Sequence, residues 1–256
     1  MTEKFNLEHH IISLLRDEPF FAALSRRINK AASNNIPTAG VRVDPETSQF
    51  EMLYNPEFFQ GLTYEERRDV LKHEFYHLIF EHVTSRKPEE ISPRIWNFAT
   101  DLSSNSHLHN LPEGCLMPGE GFFEDFPKGL SAEQYLSLLL KKQKEQEQSG
   151  NSQDGDGLPQ DGQFDSHDDW SDGNNTPQGQ QAADIAKERI KDFVKKSVDE
   201  AMKQGSSGWG SVPSDVRRDI MERLQSRVDW RKALAYFCKS SRRSSRASTV
   251  KRLNKR

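Results

Sequence analysis

His73, Glu74 and His77, in the run HEFYH, are the residues in this chain whose types and spacing could do chemistry. On an α-helix the two histidines fall on one face, one turn apart, so both imidazoles can reach a single ion. Zinc suits that pair. Glu74, beside the first histidine, can take a proton from an activated water without being a ligand itself. The spacing therefore predicts metal-assisted hydrolysis, and a catalytic zinc needs a third protein ligand plus a position left open to water.

Asp101 is the charged candidate for that third ligand. It lies with Asn97 and Asn105 on a polar stripe that recurs every four residues along a predicted helix. The rivals are His82, His107 and His109, with Asn97 behind them because an amide oxygen is a poorer zinc ligand than a carboxylate or imidazole. On a helix continuous through the motif, His82 would point about half a turn away from the metal face. His107 or His109 could reach in from the end of the second helix, as ligand or as a donor to a developing oxyanion.

These residues need rigid elements to hold them. The motif lies in a segment that reads as helix from about Tyr64 to Ser85, opened by the capping box Thr63-x-x-Glu66, with Leu71, Phe75, Leu78 and Ile79 as its core face. Ser92-Pro93 opens the next helix as N-cap and first-turn proline. Upstream, Leu7 to about Lys30 reads as helix bent or divided at Pro19. Between Pro37 and Tyr54 the apolar period becomes two, with Val41 and Val43, then an Asp-Pro-Glu-Thr turn, then Phe50, Met52 and Tyr54. That pattern predicts a β-hairpin beside the motif helix, which could cover a core or add an extended peptide to its edge.

Residues 112–130 read as an ordered loop able to wall the cleft, and Ser131 caps a helix running to about Lys144. A long amphipathic helix is expected from Ala182 to Gly205, with Ile185, Ile190, Phe193, Val194, Val198 and Met202 apolar. The following GWGSVP is either a lid or a packed loop. Two more helices are expected, from Ser214 to about Arg227 and from Asp229 to about Lys239, with Val228, Trp230, Leu234 and Phe237 buried. The expected organisation is a catalytic half over 1–144, an acidic linker over 145–181, a helical section over 182–240 that packs back on it, and a basic tail over 241–256.

Four motifs in order, HEFYHLIFEH, WNFATDLSSNSHL, GWGSVP, and VDWRKALAYF with TVKRLNKR, resemble the bacterial and phage family of metallopeptidase domains found N-terminal to von Willebrand A-like domains. The resemblance runs over most of residues 8–256. It implies an α+β, mostly α, zincin-like domain with Asp101 as third zinc ligand and Asn105, one turn on, orienting a ligand. It also implies partnership with a von Willebrand A-like domain or an AAA-type ATPase. No Asp-x-Ser-x-Ser motif of the von Willebrand A-like kind occurs in the sequence.

A composition 34% hydrophobic and 29% charged means that part of the 256-residue chain cannot pack. Cys115 and Cys238 lack metal or disulfide spacing, which fits a reduced, cytoplasmic protein. No leader pattern or membrane-length apolar run is present. The net charge of −3 hides an asymmetry: residues 230–256 hold ten Lys or Arg and no acid, leaving 26 bases against 39 acids elsewhere. That tail suits phosphate contact more than base reading, with an interdomain arm as the simpler role. The sequence thus predicts a zinc peptidase acting on a protein or peptide, with no membrane partner. A zinc-stabilised adaptor that binds nucleic acid or a partner protein is the alternative.

Overall fold

The computed structural model describes residues 5–44, 47–84, 88, 90–148, 159 and 177–224. The chain divides into two compact units, Met1–Ser214 and Asp215–Arg256. The fold is mixed α and β and mostly helical, with one small sheet.

Helix α1 (Leu7–Leu14) is capped by Asn6, whose side chain accepts from the Glu8 amide. Pro19 opens α2 (Pro19–Ser25), so the apolar run that begins at Leu7 is divided as its proline predicts. The helical reading to Lys30 is corrected: Asn29–Ala32 form strand β1, paired in parallel with β3 (Phe50–Tyr54). Lys30 Nζ donates to the Ser25 and Ile28 carbonyls and so closes α2 before the strand begins. β2 (Ala39–Val43) pairs antiparallel with β3, giving the order β1-β3-β2 and the register Val41↔Met52. Phe50, Met52 and Tyr54 turn to the buried face, as the period of two requires.

Asn55 caps the short helix α3 (Pro56–Gly61), which leads into α4 (Tyr64–Ile79). The capping box is present in full: Thr63 Oγ1 accepts from the Glu66 amide at 3.3 Å and Glu66 Oε2 accepts from the Thr63 amide at 2.8 Å. From Asp69 to Ile79 every residue of α4 is buried, polar and apolar alike, so this is a central helix and not a surface one. It packs against β2, α5 (Pro93–Asn105) and α2. Phe21 of α2 sits 5.4 Å, ring to ring, from Tyr76.

Ser92 caps α5, and α5 packs most extensively against α6 (Ala132–Gln148). Leu116, Phe123 and Phe126 of the intervening loop complete that core, so residues 112–130 are an ordered packing segment. α6 continues to Gln148 and α7 begins at Pro177 (α7, Pro177–Lys203), inside both ends of the stretch expected as linker. Apart from Pro159, the rest of that stretch lies outside the described residues, as do the expected 229–239 helix and the basic tail.

α7 packs along α2, but Ile185 and Met202, expected on its apolar face, are 49% and 55% exposed. Its buried face is Ala182, Ala183, Ala186, Ile190, Val194, Val198 and Ala201. The GWGSVP segment is a packed loop. Trp209 is buried, with its ring 5.2 Å from Phe20. At Gly208 a Cβ would lie 1.8 Å from the Ala201 carbonyl oxygen, so only glycine allows the approach.

The same loop meets α4 through a buried ionic group. Lys72 Nζ lies 3.4 Å from Glu18 Oε1 and 3.2 Å from Asp69 Oδ1, and donates to Ser211 Oγ at 2.9 Å. Asp69 also accepts from the His109 and Asn110 amides, fixing the segment that follows α5. Burial works to raise the Asp69 carboxyl, but Lys72 and the Asn110 donors outweigh it and hold it below the ordinary range.

The last described helix is α8 (Ser214–Leu224), whose residues 215–224 are the described part of the second unit and carry an Arg223–Asp219 pair one turn apart. Among the described residues no helix is long and apolar enough to cross a membrane.

Candidate metal centre

His73 and His77 stand one turn apart on α4, with ring centroids 4.4 Å apart and their Nε2 atoms separated by 3.0 Å. α5 brings Asp101 Oδ1 to 3.5 Å from His77 Nε2. One ligand atom from each of His73, His77 and Asp101 lies within 4.8 Å of the others, and all three side chains are buried. His73 is 1% exposed, His77 0% and Asp101 1%, and Glu74 on the same helix is 0% exposed.

The outer nitrogens of the two imidazoles are tied. His73 Nδ1 lies 2.6 Å from Asn105 Oδ1. An amide oxygen only accepts, so His73 carries its proton on Nδ1 and, when neutral, leaves Nε2 bare. Asn105 is oriented in turn by donating from Nδ2 to the Leu116 carbonyl at 2.8 Å. His77 Nδ1 lies 3.1 Å from His82 Nδ1.

This donor set fits a cation. Two imidazole nitrogens and a carboxylate oxygen converge in a site shut off from water, an arrangement that repels itself unless a proton or metal ion lies between them. Burial pushes the Asp101 carboxyl up to about 7, with the nearby His73 pulling the other way. The 3.0 and 3.5 Å separations bracket the ~3.3 Å edge of a tetrahedron with zinc–ligand bonds of about 2.0–2.1 Å.

Among the described residues none of His82, His107 and His109 joins that group. His107 is half-buried, 5.5 Å ring to ring from Tyr76, and His109 is exposed with its amide on Asp69. Asn97 is buried on the same stripe of α5, and its Nδ2 has no hydrogen-bond partner among the described residues. Cys115 is held protonated, its thiol pushed up to about 12 first by burial and then by the Asp101 and Glu66 charges.

The expectation that misjudged the site concerned His82. Read on a helix continuing to Ser85, it pointed away; α4 in fact ends at Ile79. The chain reverses at Glu81 (φ 61°), and His82 returns against His77. The Glu81 amide donates to the Leu78 carbonyl at 3.1 Å and the His82 amide to the His77 carbonyl at 2.9 Å. Those two bonds define a Schellman motif. Its usual signal is a glycine at the left-handed position, and glutamate stands there instead.

A protein of Thermotoga maritima, described as uncharacterized, is 24% identical over 267 residues, covering 98% of this chain. The chain spans about 62% of that relative's length. No solved structure matches the chain. The model of the family described as "Putative metallopeptidase domain" matches residues 2–256, and the chain belongs to that family.

Proposed function

We propose that the protein is a zinc-dependent peptidase with a zincin-like arrangement, in which His73, His77 and Asp101 hold the ion and Glu74 is the general base. The observation that carries this reading is the convergence of two imidazole nitrogens and a carboxylate oxygen around one point, beside a helix that also carries Glu74. The family to which the chain belongs supports it.

When bound, zinc supplies a Lewis acid that polarises the scissile carbonyl and acidifies the attacking water. Glu74 takes the proton from that water and delivers it to the leaving amine nitrogen. Asn105 holds the His73 ring with Nε2 inward. Asp101 contributes the negative charge that draws a divalent cation out of water. The substrate is a protein or peptide, and β2, which packs against α4 at the edge of the sheet, is the strand to which an extended peptide would add.

One observation favours a second reading: every residue of the centre is buried, so a polypeptide reaches Glu74 only after covering chain moves aside. A sealed ion serves a zinc-stabilised adaptor equally well. Three protein ligands and an adjacent glutamate argue for catalysis, since a structural site normally closes its coordination with a fourth protein ligand.

The test is zinc content by mass spectrometry on protein purified without metal-affinity resin, for wild type, His73→Ala and Asp101→Ala, followed by a peptide-library cleavage screen. About one zinc per chain, lost in both variants, together with cleavage that falls about 10²–10⁴-fold in Glu74→Gln, is expected. One zinc with no cleavage by wild type would favour the adaptor. No zinc uptake would end both readings.

A further inference from the structure

We propose that His82 is a positioning residue for the metal centre: its Nδ1 accepts the Nδ1 proton of His77 and so keeps His77 Nε2 bare toward the ion. The inference rests on the zinc reading above.

The two Nδ1 atoms are 3.1 Å apart, and a hydrogen bond at that distance needs one bare nitrogen and one protonated nitrogen. A neutral His77 that ligates through Nε2 must carry its proton on Nδ1. His82 is then the acceptor, with its own proton on Nε2. In the opposite arrangement the His77 proton sits on Nε2, facing His73 Nε2 at 3.0 Å and Asp101 Oδ1 at 3.5 Å, where it fills the place of the ion. His82 therefore selects between a tautomer of His77 that can ligate and one that cannot.

The surroundings hold His82 for that role. Its side chain is 1% exposed, with the Phe80 ring 5.6 Å away and the Trp96 ring 6.3 Å away. Its backbone is fixed by the bond from its own amide to the His77 carbonyl. In a Schellman motif the side chains that touch across the turn belong to the last-turn residue that accepts this bond and the residue that donates it, and they are ordinarily apolar. Here those two residues are His77 and His82, so the contact that normally only terminates a helix also orients a ligand. The two histidines then have different partners, an amide oxygen for His73 and an imidazole for His77.

The experiment measures zinc dissociation constants by chelator competition for wild type, His82→Leu and His82→Asn. Leucine keeps the volume and removes the acceptor; asparagine places Oδ1 close to where Nδ1 stood. Zinc affinity is expected to fall about 10–100-fold in His82→Leu and to be largely restored in His82→Asn. Equal affinity in wild type and His82→Leu, or an equal loss in both variants, would overturn the proposal. Should the variants fail to fold, nitrogen-15 NMR of zinc-loaded wild type decides it: a protonated His77 Nδ1 facing an unprotonated His82 Nδ1 is expected, and the reverse assignment refutes it. Wild type that binds no zinc would instead refute the reading on which the proposal depends.

Discussion

Asn105 Oδ1 accepts from His73 Nδ1 at 2.6 Å, from a position one turn beyond Asp101 on the same face of α5. One helix therefore presents both a candidate ligand and the acceptor that holds a candidate ligand on another helix. Asn105→Ala is expected to weaken zinc binding about 10–100-fold with the fold retained. Asn105→Asp, which keeps an acceptor at that place, should lose less. Chelator competition reads both, and unchanged affinity in the alanine variant would show that His73 needs no such support.

Lys72 neutralises two buried carboxylates, Glu18 from the start of α2 and Asp69 one turn back on α4 itself. Lys72→Met removes the ammonium beside Glu18, leaves Asp69 with the Arg68 guanidinium, and is expected to cost about 3–5 kcal/mol. For a unit of this size that lowers Tm by roughly 10 °C. A thermal melt within a degree or two of wild type would mean that the buried group contributes little to holding α4 in register.

Gly208 tests whether the loop after α7 is packed or moves as a lid. Gly208→Ala places a methyl group 1.8 Å from the Ala201 carbonyl oxygen and is expected to destabilise the fold by about 1–3 kcal/mol. Urea denaturation measures it. A lid would accept the substitution without loss of stability.

Glu81 occupies the left-handed turn position at φ 61°, where glycine carries no steric penalty. Glu81→Gly is expected to leave zinc affinity intact and to change stability by less than about 1 kcal/mol, because relief of backbone strain offsets the lost, partly exposed ion pair with Lys187. Glu81→Ile cannot adopt that backbone cheaply and should displace His82, with zinc affinity falling alongside stability. Comparing both variants by chelator competition separates backbone geometry from side-chain charge.

Burial lowers the Lys30 ammonium from 10.5 to about 8, against the upward pull of Glu8. A folded-state value below the unfolded one means that the unfolded chain binds the extra proton between those limits, so stability rises with pH across that window. Below it both states are protonated and the burial cost is present in full. Solvent screening of this half-buried group leaves an effect of about 1–2 kcal/mol. The difference in unfolding free energy between wild type and Lys30→Met, measured near pH 8 and pH 10.5, should shift by that amount; a constant difference would contradict the burial.

The sequence by itself determined what depends on near neighbours along the chain. The i, i+4 spacing of His73 and His77, the Thr63–Glu66 capping box, the division at Pro19, the Ser92-Pro93 start of α5 and the alternation that makes β2 and β3 all follow from local geometry. Asp101 and Asn105 were legible as one face of a helix, because their spacing matches its period.

Only the tertiary structure decided which partners that face meets, since α4–α5 packing and not spacing sets Asp101 against His77 and Asn105 against His73. It also decided that Asn29–Ala32 is a strand, because that segment's pairing partner lies more than twenty residues away. His82 was misjudged because the stop of α4 at Ile79 carries no glycine or proline to announce it. The buried Glu18–Lys72–Asp69 group was invisible for a related reason: charged residues ordinarily mark a solvated face, and only packing from α2 and the loop around Ser211 makes this one interior.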